Sequence, residues 1–185
     1  MRDNATMGCG CVERIAAGAT FAVWLVACTG STAPTPAAAA VAARHILYLT
    51  HSAGYRHEVL PLSAQILQDI GRQSRAFDVT ATDDCAVVTR ESLTRFDAVV
   101  FFTSGDLPMS ADQKAALLDF VQSGKGFVGI HSATDTFYGW PEYGALVGAY
   151  FDGHPWHQPV TLRVEDPSHP ATAGLPPTFQ IADEI

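Results

Sequence analysis

Gly126-Phe127-Val128-Gly129-Ile130-His131-Ser132-Ala133-Thr134-Asp135 is a short apolar run that stops abruptly in a polar turn. Phe127, Val128 and Ile130, rich in β-branched residues and preceded by Gly124 and Gly126, predict a buried strand. In an open α/β sheet, chemistry collects just past the carboxyl ends of such strands. His131 stands at that place.

On the N-terminal side of this stretch the same alternation of elements repeats. Ile46–Thr50 is apolar almost throughout, as a strand covered on both faces should be. A polar loop, His51–His57, leads to a helix expected over roughly residues 58–72, with Leu60, Ala64, Leu67 and Ile70 at helical spacing and Pro61 in the first turn. Phe77–Thr82 alternates as a half-exposed strand, a short helix is expected at Arg90–Leu93, and Asp97–Phe102 is the most hydrophobic strand. Ser110-Ala111-Asp112-Gln113 has the pattern of a capping box opening a helix that stops before Gly124. This order implies right-handed βαβ crossovers, a mainly parallel sheet and helices on both faces.

Beyond Ala133 the pattern changes to an aromatic, loop-rich insert, with a short helix at Tyr143–Val147 and a late strand at Val160–Val164. Phe179-Gln180-Ile181 reads as the start of another element just before the chain ends at Ile185, which is the pattern of a C-terminally truncated chain.

The N-terminal residues carry a different signature. Ile15–Ala27 is an apolar run too short to cross a bilayer core of ~30 Å as a helix, but right for the hydrophobic part of a signal peptide. Leu25-Val26-Ala27-Cys28 resembles the bacterial lipobox, in which the signal is cut before a cysteine that becomes lipidated. Residues 1–28 are therefore expected to be a signal peptide with lipidation at Cys28, residues 29–44 a Pro/Ala-rich linker, and residues 45–185 the domain. The protein is expected to be exported, as a periplasmic or membrane-anchored bacterial lipoprotein. Cys85 is then the lone cysteine of the domain. Asp83-Asp84 beside it would disfavour a thiolate, so a structural role is expected.

The 185 residues suffice for one domain with a real core. A net charge of −8, with no lysine or arginine cluster, argues against a nucleic-acid partner, because phosphate backbones attract basic faces.

If the strands are parallel, His51–His57, Thr103–Asp106 and His131–Asp135 meet at one rim, joined by His154-Pro155-Trp156-His157-Gln158 from the insert. A histidine serves there as an acid/base near neutral pH or as a metal ligand. His131 and His57, with Asp135, are the expected catalytic groups. His51, Tyr55, Arg56, Asp106 and Gln158 are expected to bind substrate. Trp140, Tyr143 and Trp156 either stack on a sugar ring or form a hydrophobic cluster beneath the insert. His154 and His157 have a spacing suited to one metal ion. With His131 they are the candidate ligands for a divalent metal such as zinc. Gly129-Ile130-His131-Ser132-Ala133 also has the outline of a nucleophile elbow, G-x-S/C-x-G, with histidine at the nucleophile position. That argues against covalent amide hydrolysis. Ser132, one step on, is expected to point elsewhere.

The loop Thr50-His51-Ser52-Ala53-Gly54-Tyr55-Arg56-His57, the strand end Gly124–Thr136, Trp140-Pro141-Glu142-Tyr143, Phe151–Gln158 and Val164–Thr172 together resemble the trehalose-utilisation (ThuA-like) family. The resemblance runs from about His45 to Glu184. It implies a class I glutamine amidotransferase-like, flavodoxin-like three-layer α/β fold whose elbow lacks the amidotransferase cysteine. It also implies a part in bacterial sugar utilisation, with disaccharides and their 3-keto derivatives as substrates, and His57, His131, His154 and His157 as site residues. The expected function is carbohydrate chemistry by histidine acid/base or metal assistance, with a non-catalytic carbohydrate-binding or scaffolding domain as the alternative.

Overall fold

Four parallel strands, β1 (Arg44–Leu49), β2 (Phe77–Thr82), β3 (Ala98–Phe101) and β4 (Gly126–Gly129), form one sheet in the order β2-β1-β3-β4. The computed structural model describes residues 44–184, so the expected signal peptide, Cys28 and nearly all of the linker lie outside the described residues. The central strands are covered on both faces, which explains their unbroken apolar sequences. Leu47, Leu49, Val99 and Phe101 pack toward one side and are fully buried. Tyr48, Val100 and Phe102 pack toward the other. Each such side chain removed from water contributes ~1.5–3 kcal/mol before the entropy of ordering it is subtracted.

Helix α1 (Leu60–Ser74) covers the Tyr48 face through Leu60, Ala64 and Leu67, and Tyr48 donates or accepts a 2.7 Å hydrogen bond with Ser63. It begins two residues later than the spacing predicts and has Pro61 in its first turn. On the opposite face lie α2 (Arg90–Leu93), α3 (Ala111–Gln122) and α4 (Pro141–Val147), contributing Leu93, Ala116, Leu117, Phe120 and Tyr143 to the larger core. Ser110 and Gln113 form the predicted capping box at the start of α3. The result is the three-layer, mainly parallel α/β arrangement expected of a flavodoxin-like fold.

Two sequence expectations need correction. β4 is not buried: it is an edge strand of the sheet, and Val128 is 49% exposed. Its apolar sequence alone cannot distinguish a central strand from an edge. The late strand begins at His157 rather than Val160, and β5 (His157–Arg163) pairs antiparallel with β6 (Thr178–Glu184), the element that Phe179-Gln180-Ile181 announces. Cys85 is buried in the larger core, and burial together with Asp84 and Asp83 pushes its thiol up to about 11, as a structural cysteine requires.

Candidate functional site

The loops leaving β1, β3 and β4 do not splay apart; they continue the parallel pairing past the sheet. Ala53 and Gly54 both donate backbone N–H groups to Ser104 O, at 2.8 and 3.1 Å, and Ser104 Oγ donates to Tyr55 O at 2.6 Å. On the other side, Gly105 N donates to Asp135 O at 2.6 Å and Phe137 N donates to Gly105 O at 3.2 Å. Buried Thr103 and Thr136 join their hydroxyls at 2.9 Å beneath. The β3 loop therefore acts as a spacer that fixes the distance between the loop bearing His57 and the turn bearing His131.

His131 opens a single 3-10 turn, His131–Asp135, and has φ 47°, in the left-handed region that non-glycine residues avoid. Such a conformation costs on the order of 1–3 kcal/mol and persists only where the surroundings enforce it. Here it turns the imidazole toward His57, and the two Nε2 atoms lie 3.1 Å apart. One of them must carry a proton and the other a lone pair. Phe102, which is buried, supplies the floor for both rings, with centroids at 5.5 Å from His57 and 5.8 Å from His131. Burial first, and His131 second, push the His57 imidazole below its ordinary value; Glu184 and Asp135 oppose this.

These groups line a cavity of about 530 Å³, together with Tyr55, Ser132, Thr134, Asp135, Phe151, Gly153, His154 and Glu184. Glu184, at the end of β6, places Oε2 3.6 Å from His154 Nε2 and 3.9 Å from His131 Nε2. These are electrostatic contacts, beyond normal hydrogen-bond length. Asp135 is held by Tyr138, whose hydroxyl lies 2.7 Å from its Oδ1 and 3.0 Å from Phe151 O; burial and the carboxylate push that phenol up to about 12. Phe151 N donates to Thr134 O at 3.0 Å, so the insert loop carrying His154 is tied to the elbow turn itself.

Of the expected site residues, the fold brings His57, His131, Asp135, Tyr55 and His154 to one cavity. It does not bring the others there. His51 turns away, with Nδ1 2.8 Å from Asp83 O, and lines a separate hollow with Asp83, Asp84 and Cys85. Arg56 and Asp106 are exposed and do not line the cavity. Trp140 and Tyr143 belong to the core: Tyr143 has no exposed surface, and its hydroxyl donates to Ala133 O at 2.8 Å. The cluster beneath the insert is thus their place, and no ring face is left for a ligand. Trp156 is 63% exposed, and Trp156 and Gln158 both stand outside the cavity lining.

The expected trio His131, His154 and His157 does not converge, because pairing in β5 draws His157 opposite Glu184 in the hairpin register and out of the cavity wall. Among the described residues no group of three or more His, Cys, Asp or Glu side chains is arranged to hold a metal ion. Sequence reasoning missed Glu184, Phe151 and Thr134. Ser132 lines the cavity, but its Oγ is sealed from solvent. Glu184 carried no local signal, because its place is set by the register that pairs it with His157.

The arrangement offers a proton donor and acceptor in direct contact, two carboxylates and an aromatic rim, which suits acid/base chemistry on a polar, uncharged molecule. Comparison with known proteins agrees in fold. No curated protein matches the chain. A crystal structure from Bacteroides uniformis, described as ThuA-like, superposes with a TM-score of 0.60 at 21% identity, over 82% of this chain and 62% of that one. The chain thus spans less than two thirds of the neighbour's length, and at this identity the likeness establishes the fold. A family model described as ThuA, trehalose utilisation, matches residues 45–185. By that match the chain belongs to the trehalose-utilisation (ThuA) family.

Proposed function

We propose that this protein is a sugar-utilisation enzyme that acts on a disaccharide or keto-sugar derivative by proton transfer through the His57–His131 pair. The observation that carries the reading is the 3.1 Å Nε2–Nε2 contact, made at the wall of a cavity large enough for a sugar unit by a His131 whose backbone is left-handed. His57, kept below its ordinary value, is neutral near pH 7 and able to accept a proton. His131 then passes or receives that proton, and Asp135, Glu184 and His154 orient hydroxyls around the reacting position. The family assignment supports a sugar as the substrate.

The test is to incubate the protein with trehalose and with its 3-keto derivative and follow products by NMR. His131→Ala should lower turnover by about 10²–10⁴-fold, the usual contribution of a positioned acid/base. Retention of the wild-type rate by the variant overturns the assignment of His131. Binding of both sugars without any product replaces this reading with that of a carbohydrate-binding domain. The leader sequence supports export with a lipid on Cys28. Membrane fractionation in which Cys28→Ser leaves the protein in the membrane overturns that part.

A further inference from the structure

The contact between His57 and His131 is closer, ring to ring, than a straight hydrogen bond would make it. A linear N–H···N bond of this length sets two imidazoles end to end, with centroids about 5.4 Å apart. The observed centroids lie 4.8 Å apart, with the ring planes at 81°, so the contact is bent. Two imidazole nitrogens bound to one zinc ion at ~2.05 Å, with an angle of about 100° between them, stand about 3.1 Å apart, and their ring centroids about 4.9 Å apart. The pair, at 3.1 and 4.8 Å, has those dimensions. The surrounding charge suits a cation as well. Asp135 and Glu184 line the cavity, and among the described residues no lysine or arginine does. Glu184 Oε2 stands 3.9 Å from His131 Nε2 and 3.6 Å from His154 Nε2.

We propose that His57 Nε2 and His131 Nε2 are two ready-placed ligands for a zinc-type divalent cation, and that Glu184 closes on the ion as the third. Three ligands do not meet at one point in the present arrangement. Two do, and the third is carried by the β5–β6 hairpin, a two-stranded sheet with little of its own to hold it rigid. Imidazole donors favour zinc and its transition-metal neighbours over magnesium and calcium, which take oxygen ligands. An ion held here occupies both ring lone pairs, so it competes with the proton exchange proposed above. The site itself does not require that the cavity take a sugar.

The experiment titrates the chelator-stripped full chain with zinc chloride by calorimetry, and the wild type should bind one ion. His57→Ala and His131→Ala should each weaken binding at least about 100-fold, more than the loss of an outer-shell partner costs. Glu184→Gln should weaken it about tenfold, and His45→Ala, at the opposite end of β1, should leave it unchanged. A wild type that takes up no zinc at about 1 mM overturns the proposal. So does unchanged affinity in either histidine variant or in Glu184→Gln. Histidine-ring NMR of the wild type needs no variant. Zinc should shift the Nε2 resonances of His57 and His131 together, and shifts confined to other histidines overturn the proposal. Zinc binding at this pair without turnover of any sugar leaves the metal site standing and removes only the enzyme reading.

Discussion

His57 is held between opposing influences, and their balance is measurable. Burial and the facing His131 imidazole disfavour its charged form, while Glu184 and Asp135 favour it, and the net direction is downward. A histidine whose folded pKa lies below its unfolded value of ~6.5 binds protons more readily when unfolded. Its contribution to stability is therefore intact above ~6.5 and is lost as pH falls through the folded value. Calorimetric Tm should decline between about pH 7 and 5 in the wild type and decline less in His57→Gln. Parallel profiles would remove the claim that the fold keeps His57 neutral. The residue scale is also where sequence reading divided most sharply. His57 and His131 were legible because a polar residue at a strand end has few other places to go. Trp140 and Tyr143 were not, because an aromatic ring reads the same whether it faces a crevice or the core beneath it. Only the packing of α4 against β3 and β4 decides that.

At the scale of elements, the site exists because two loops approach closer than most side chains allow. Gly105 has φ +76°, and a Cβ built on it would stand 2.4 Å from Gly54 N and 2.7 Å from Ala53 C. Both atoms belong to backbone, so nothing flexible can yield. Gly105→Ala combines left-handed strain with overpacking and should cost about 2–4 kcal/mol, each effect supplying roughly half. In a domain of this size that lowers Tm by roughly 10 °C. Stability within ~0.5 kcal/mol of wild type, the range of ordinary surface substitutions, would show that the β1 loop is free to move. The four strands of the main sheet, the α3 capping box and the helix stop before Gly124 were readable, since each depends on local chemistry. The spacer role of Thr103–Gly105 was not, because it arises from hydrogen bonds between loops far apart in sequence.

Across the whole molecule, protection and function are unevenly shared. β1 and β3 lie inside the sheet with Leu47, Leu49, Val99 and Phe101 sealed from solvent. The β5–β6 hairpin is a two-stranded sheet whose residues are half-buried at most, and such a pair has little stability of its own in water. Yet the hairpin carries Glu184, the carboxylate facing His131 and His154. This explains why Glu184 escaped sequence reading: its position depends on the register that sets His157 opposite it, not on any local pattern. Regions with few buried apolar contacts open at low free energy. Amides of residues 157–184 should therefore exchange with deuterium orders of magnitude faster than those of residues 46–50 and 98–102, as read by mass spectrometry of peptic fragments. Bound sugar that touches Glu184 should slow the hairpin amides selectively, because a ligand stabilises only the closed form it binds. Equal protection of hairpin and central strands, with or without sugar, would make the hairpin an integral part of the core and Glu184 as firmly placed as His131.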